Sequence, residues 1–220
     1  MRGNNVGKTN YLYQLSIFFL GIIILSLGIA MIIEANLGVS SWDVLHIGLY
    51  NILGLTIGTW SIIVSLTVII ITFILDKKMI SIGTVLNMIF VGVFIDLFLY
   101  LLPTMERLFF QYMYLFVGIL LMGMGAGLYI TANLGAGPRD SLMLVLSKKY
   151  QMSIGKIKTI MELLVLIVGW ILGGPVYIGT LIVSVLIGPI IQFFIKLWDT
   201  YFVSQGIVIT DLRYRRENKL

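Results

Sequence analysis

The stretch GIAMIIEANLGVSSWD at residues 28–43 returns, altered but recognisable, as GAGLYITANLGAGPRD at residues 125–140. Ala-Asn-Leu-Gly is identical in both, at 35–38 and 132–135, and an Asp follows five residues after each Gly, at Asp43 and Asp140. The first copy closes the first hydrophobic run of the chain and the second closes the fourth. Copies an odd number of membrane spans apart face opposite ways across a bilayer. A chain made of two oppositely oriented halves is an architecture common among transporters.

Composition sets the class. Hydrophobic residues make up 59% of the chain and charged residues 11%, against roughly 25% charged in a soluble domain. Too little polar surface remains to cover a soluble core of this length, so the chain reads as an integral membrane protein. A bilayer core needs about 20 apolar residues per helix. Six runs approach that length: about 13–33, 58–75, 79–102, 112–131, 157–172 and 176–197. The fifth is short and carries Lys158 and Glu162. None alternates apolar and polar residues as a barrel strand would. The first run exceeds the length of a signal-peptide core and lacks a small-x-small cleavage site, so it reads as a retained helix.

Lys and Arg orient the spans. With a cytoplasmic N-terminus and six crossings, fourteen basic residues fall inside and only Arg107 falls outside. That asymmetry follows the positive-inside rule and places both termini in the cytoplasm. Stretches 39–52 and 137–150 are too short and too polar to cross. The formal charge of +5 is this inside bias. The basic residues are scattered over loops, which speaks against a nucleic-acid partner. The cluster Arg213, Tyr214, Arg215 and Arg216 reads as a juxtamembrane anchor on anionic lipid.

The duplication extends past the motif. Ile57-Gly58 falls on Ile154-Gly155 at an offset of 97, and at 96 Gly83-Thr84 falls on Gly179-Thr180, Gly92 on Gly188 and Phe98 on Phe194. The expected fold is therefore an all-α membrane protein of six transmembrane helices in two inverted three-helix repeats, about 12–102 and 110–198. They form one domain over 1–205, with a cytoplasmic tail at 206–220 and frayed ends about 1–10 and 205–220. Each first helix is followed by a break and a short segment. Asn and Gly suit a helix C-cap because both tolerate left-handed backbone. Ser40, Ser41 and Asp43 in one copy, and Gly137, Pro138 and Asp140 in the other, suit the start of a new helix. Broken backbone at membrane depth survives only inside protein or beside a water-filled cavity. Facing breaks would form a polar site; the plainer alternative is a pair of interfacial turns with the two Asp residues as caps.

Candidate solute-binding residues are Asn36, Gly38, Trp42, Asp43, Asn133, Gly135, Arg139 and Asp140. Asp96 and Glu162 are candidates for proton coupling, since intramembrane carboxylates mark pathways by default. Each also has a plainer reading: Asp96 at the outer interface, and Glu162 paired with Lys158 four residues earlier. Gly123, Gly125, Ala126 and Gly127 form a smooth face for close helix packing. With no Cys and a single His, His46, thiolate chemistry, a His-based metal site and a triad are all disfavoured. No Walker A sequence is present. An enzyme is not expected, nor is a cofactor.

The paired Ala-Asn-Leu-Gly motifs, "SSWDVL" and "GPRDSL" after them, and Ile-Gly-Thr before the last helix resemble the YczE-like bacterial membrane proteins, often grouped with YitT-type proteins. "NLGAGPRDSLM" is the most specific part, and the resemblance covers residues 12–198. It implies a bacterial inner-membrane location and matching roles for Asn36, Gly38 and Asp43 and for Asn133, Gly135, Arg139 and Asp140. Trp42 stands where the second copy has Arg139, so an anion-binding role for Arg139 would not be duplicated. The expected function is secondary transport or export of a small solute. The alternatives are a substrate-capture subunit of an ATPase-driven transporter and a non-transporting accessory protein. The lipid bilayer is the expected partner, and a homo-oligomer stays open.

Overall fold

A computed structural model describes residues 6–204, and these contain eight α-helices and no strand. The tail at 206–220, with its basic cluster, lies outside the described residues. In chain order the helices are α1 (Val6–Glu34), α2 (Ser41–Leu53), α3 (Ile57–Leu75), α4 (Ile82–Leu101), α5 (Leu108–Thr131), α6 (Pro138–Tyr150), α7 (Ile154–Ile171) and α8 (Ile178–Ser204), with one 3-10 turn at Lys77–Met79. The first helix begins at Val6, ahead of the apolar run, so the polar residues 6–10 are helical rather than frayed.

Five helices are long and apolar enough to cross a membrane: α1, α3, α4, α5 and α8. The sixth expected run, α7, is an 18-residue helix that carries Lys156, Lys158 and Glu162 in its first half, which keeps it out of that set. Helices α2 and α6 have 13 residues each, about 20 Å of helix at 1.5 Å per residue, well short of a bilayer core. Large apolar side chains such as Leu20, Ile74, Leu120, Ile171 and Val185 are exposed on the outer faces. In water that would be costly; against lipid it is the expected surface. The chain is a multi-pass membrane protein.

Helices α1 and α5 form the centre. They pack on each other through glycines, because a Cβ at Gly21 would strike the backbone of Tyr129 and Gly125, and one at Gly28 the backbone of Met122 and Gly118. Such close backbone approach gives the dispersion contact that holds helices together where lipid removes the hydrophobic drive. Around this pair Phe18, Ile22, Ile95 and Tyr129 form one core cluster, and Ile32, Val44, Leu115, Ile119 and Val183 another. Helix α4 lies against α1 and α8 against α5, while α2 lies against α7 and α6 against α3. The short helix of each half thus docks on the other half.

Both Asn-Leu-Gly segments end their helices in the same way. Asn36 has φ 54° and Asn133 φ 56°, and the glycines two residues on have φ 106° and 133°. Asn36 N–H donates to the Ile33 carbonyl at 3.2 Å, and Asn133 N–H to the Ile130 carbonyl at 3.1 Å. Left-handed backbone at these positions is what Asn and Gly permit at least cost. The intervening Leu carbonyls do not stay unpaired. Leu37 accepts from Gly179 N–H at 2.7 Å, and Leu134 accepts from Gly83 N–H at 3.2 Å. The Ile-Gly-Thr triplets that open α4 and α8 therefore serve the break of the opposite half. Thr84 adds a hydroxyl bond to the Ala136 carbonyl at 2.7 Å.

Candidate functional site

Between α1, α5 and the two breaks lies a cavity of about 330 Å³. Its wall uses the same positions of both halves. Leu25 and Met122, Trp42 and Arg139, and Ser61 and Lys158 all line it, and each pair is 97 residues apart. Ser65 with Glu162 continues the α3 and α7 face, and Val91 with Ile187, 96 apart, the α4 and α8 face. The starts of α2 (Ser40 to Trp42) and of α6 (Gly137 to Asp140) both border this space. Free N–H groups and helix dipoles at such ends favour negative charge.

Arg139, on the first turn of α6, lays its guanidinium over the Trp42 ring, 4.6 Å from the centroid. Among the described residues no carboxylate lies within 4.0 Å of it. Asp140, its chain neighbour, instead accepts a hydrogen bond from Tyr129 Oη at 3.3 Å. Burial raises the Asp140 carboxyl above the ordinary carboxylate value, against the opposing pull of Tyr129, Lys158 and Arg139. On α7, Lys158 and Glu162 lie 3.8 Å apart, both partly exposed to the cavity. Asn87 of α4 is buried beside the α6 start, and its Nδ2 has no hydrogen-bond partner.

The expected binding residues therefore separate. Trp42, Arg139 and Asp140 line the cavity. Asn36, Gly38, Asn133 and Gly135 shape the breaks without lining it. Asp43 sits behind the wall, 3% exposed, accepting from Ser40 Oγ. Its Oδ1 is 3.5 Å from His46 Nδ1. His46 is fully buried with neither ring nitrogen hydrogen-bonded, and burial holds its imidazole below the ordinary value against the pull of Asp43. Of the proton-coupling candidates, Glu162 lines the cavity. Asp96 lies away from it, where its carboxylate accepts from Gly58 N–H at 2.7 Å and Thr56 Oγ1 at 2.6 Å. That is an anion on the N-terminus of α3, the placement the helix dipole favours.

Sequence reasoning missed Asn87 and Tyr129. Asn87 carried a signal, an amide inside an apolar run. Tyr129 carried little, because an aromatic in such a run is ordinary.

Residues 12–196 match the model of a protein family described as a family of unknown function, DUF6198. The chain belongs to that family. It is 37% identical over 187 residues to the uncharacterized membrane protein YczE of Bacillus subtilis, covering 84% of this chain and 87% of the relative. It is 34% identical over 183 residues to an uncharacterized protein of Haemophilus influenzae, covering 83% and 84%. It is 30% identical over 190 residues to the uncharacterized protein YyaS of Bacillus subtilis, covering 85% and 94%. No solved structure matches the chain.

Proposed function

We propose that this family member is a secondary transporter of a small solute in the bacterial inner membrane. In this reading it has two inverted three-helix repeats, α7 crosses as the sixth span, and both termini are cytoplasmic. The two breaks build the solute site, with Trp42, Arg139 and Asp140 in its wall and Glu162 as the cavity's proton-exchange candidate.

One observation carries the reading: equivalent helix pairs are packed differently. A Cβ on Gly58 of α3 would overlap the Gly92 carbonyl and the Asp96 side chain of α4. The equivalent glycines of α7 and α8, Gly155 and Gly188, have nothing within 4 Å of a Cβ position. Gln192, the counterpart of Asp96, faces the cavity instead of a helix start. The same helix pair is thus closed in one half and parted in the other, with the cavity reaching the parted side through Lys158, Glu162 and Gly188. Exchanging the two arrangements would close the second pair, open the first, and move access to the opposite side. That is alternating access by repeat exchange. With a cytoplasmic N-terminus, the closed end is extracellular and this state faces inward.

The natural absence of Cys permits a test that needs no known solute. Thr56→Cys with Asp96→Cys reports the closed α3–α4 arrangement, since the two side chains are hydrogen-bonded at 2.6 Å. Ser153→Cys with Gln192→Cys is the equivalent pair at α7 and α8. In membranes, both pairs should cross-link, and in the quadruple variant one cross-link should exclude the other. If only the 56–96 pair ever forms, the cavity is static and the transport reading fails.

A further inference from the structure

We infer that the cavity binds a small amphipathic organic anion, its acidic head between Arg139, the Nδ2 of Asn87 and the start of α6, and its apolar body among the methionines. The inference rests on the proposed function for the site but not for the motion, because binding needs no alternation.

Charge pairing within the cavity selects the sign of the ligand. Lys158 and Glu162 pair with each other, and Asp140 is held by Tyr129. Arg139 is left as the one cavity cation with no acid within 4.0 Å among the described residues. It already rests against the Trp42 ring, 4.6 Å from the centroid. A guanidinium pre-set in this way loses less freedom on meeting a carboxylate, and its paired N–H groups match that head geometrically.

A second donor points to the same place. Asn87 is 8% exposed, lines the cavity, and has an amide nitrogen donating to nothing. Its Oδ1 stands 3.5 Å from where a Cβ on Gly137 would lie, which sets the amide beside the first N–H groups of α6. A buried donor without a partner is costly and marks a place where a partner is absent. Neither the α6 start nor Asn87 would suffice alone; with Arg139 they put donors from α4 and α6 in the wall of one cavity, the Asn87 Oδ1 being the acceptor among them.

The rest of the wall is soft and apolar. Met88, Met122, Met143 and Met161 line it with Ile29 and Val91. Unbranched thioethers adapt to many shapes, so the site fits a class of compounds with one acidic head and a compact hydrocarbon or aromatic body. A cavity of about 330 Å³ lies at the small end of ligand pockets.

The test uses benzoate against its near-isosteres benzamide and benzylamine, with the purified full-length chain in lipid nanodiscs, read by tryptophan fluorescence and by thermal melting. Benzoate should quench the emission and raise the melting temperature at millimolar concentration, and the isosteres should do so at least tenfold more weakly. Arg139→Gln should weaken benzoate at least tenfold and leave benzamide unchanged, while Arg139→Lys keeps part of the affinity. Asn87→Asp, which places an acceptor and a negative charge at the head, should weaken benzoate to a similar degree. Equal binding of all three compounds, or unaltered benzoate binding by both Arg139→Gln and Asn87→Asp, would overturn the assignment. Benzoate binding in a chain whose cysteine pairs never exchange would retain the anion site and remove the transport reading.

Discussion

Arg139 lies over the ring of Trp42 at 4.6 Å, and the two residues hold the same position in the two copies of the motif, 97 residues apart. Equivalent positions that touch each other mark the place where an axis relating the halves would pass. The duplicated design therefore differs where a solute would sit: a cation in one copy, an aromatic face in the other. If this pair is a unit, Trp42→Leu should lower stability by about 0.5–2 kcal/mol, the range of a cation–π contact, plus the loss of ring packing. Trp42→Phe should recover part of it. Thermal unfolding of Trp42→Leu, Arg139→Gln and the double variant gives the coupling as a double-mutant cycle. Strictly additive losses would show that the stacking contributes nothing.

The breaks have a different sensitivity. Gly38 and Gly135 have φ 106° and 133°, where an L side chain is strained, and a Cβ at Gly135 would collide with the Ser81 hydroxyl. Gly135→Ala should cost at least the 1–3 kcal/mol typical of forced backbone outliers. Asn36→Gly at φ 54° should be near neutral, since glycine adopts that conformation freely. Melting temperatures of the two variants should differ by several degrees, and equal values would contradict the strain argument.

Helix class, the two breaks and the short helices after them were legible in the sequence because each follows from local chemistry: apolar run length, Asn and Gly at a C-cap, Ser or Pro at a helix start. Leu37 and Leu134 were not. Their carbonyls matter because Gly179 and Gly83 reach them from the other half, and no local pattern encodes that distance. For the same reason Trp42 and Arg139 could be named from the motif while their contact could not. Asp43 and Asp140 look equivalent in the sequence, yet one is sealed against Ser40 and His46 and the other borders the cavity beside Tyr129. The difference arises from the residues each half packs against.

Glycine substitutions should separate the two halves. Gly58→Ala and Gly92→Ala each force the tight α3–α4 contact apart and should lower the melting temperature. Gly155→Ala and Gly188→Ala meet open space in this state and replace Gly by a better helix former, a gain of up to about 1 kcal/mol. They should leave stability unchanged or raised while blocking closure of α7 on α8. Thus Gly188→Ala should suppress the 153–192 cross-link, with folding intact. A destabilised Gly155→Ala or Gly188→Ala would mean that the pair spends most of its time closed.

A pH profile of anion binding should expose Asp140. Its carboxyl is held above the ordinary value by burial, so its proton is lost at a higher pH than that of an ordinary aspartate. Tyr129, Arg139, Lys158 and Glu162 surround it on α5, α6 and α7. Below the raised value the group is neutral and adds no negative charge beside Arg139. As pH rises through it, a carboxylate appears next to the anion head and opposes binding. Folding stability moves in the same sense: the folded state binds the proton more tightly than the unfolded chain, so the slope of unfolding free energy with pH is negative between the two values. Benzoate affinity should therefore fall as pH rises through the Asp140 titration, while Asp140→Asn, which keeps the shape and removes the charge, should bind with a flat profile across the same range. Isothermal titration at several pH values in the two proteins measures this directly. An unchanged decline in Asp140→Asn would show that Asp140 does not border the bound anion.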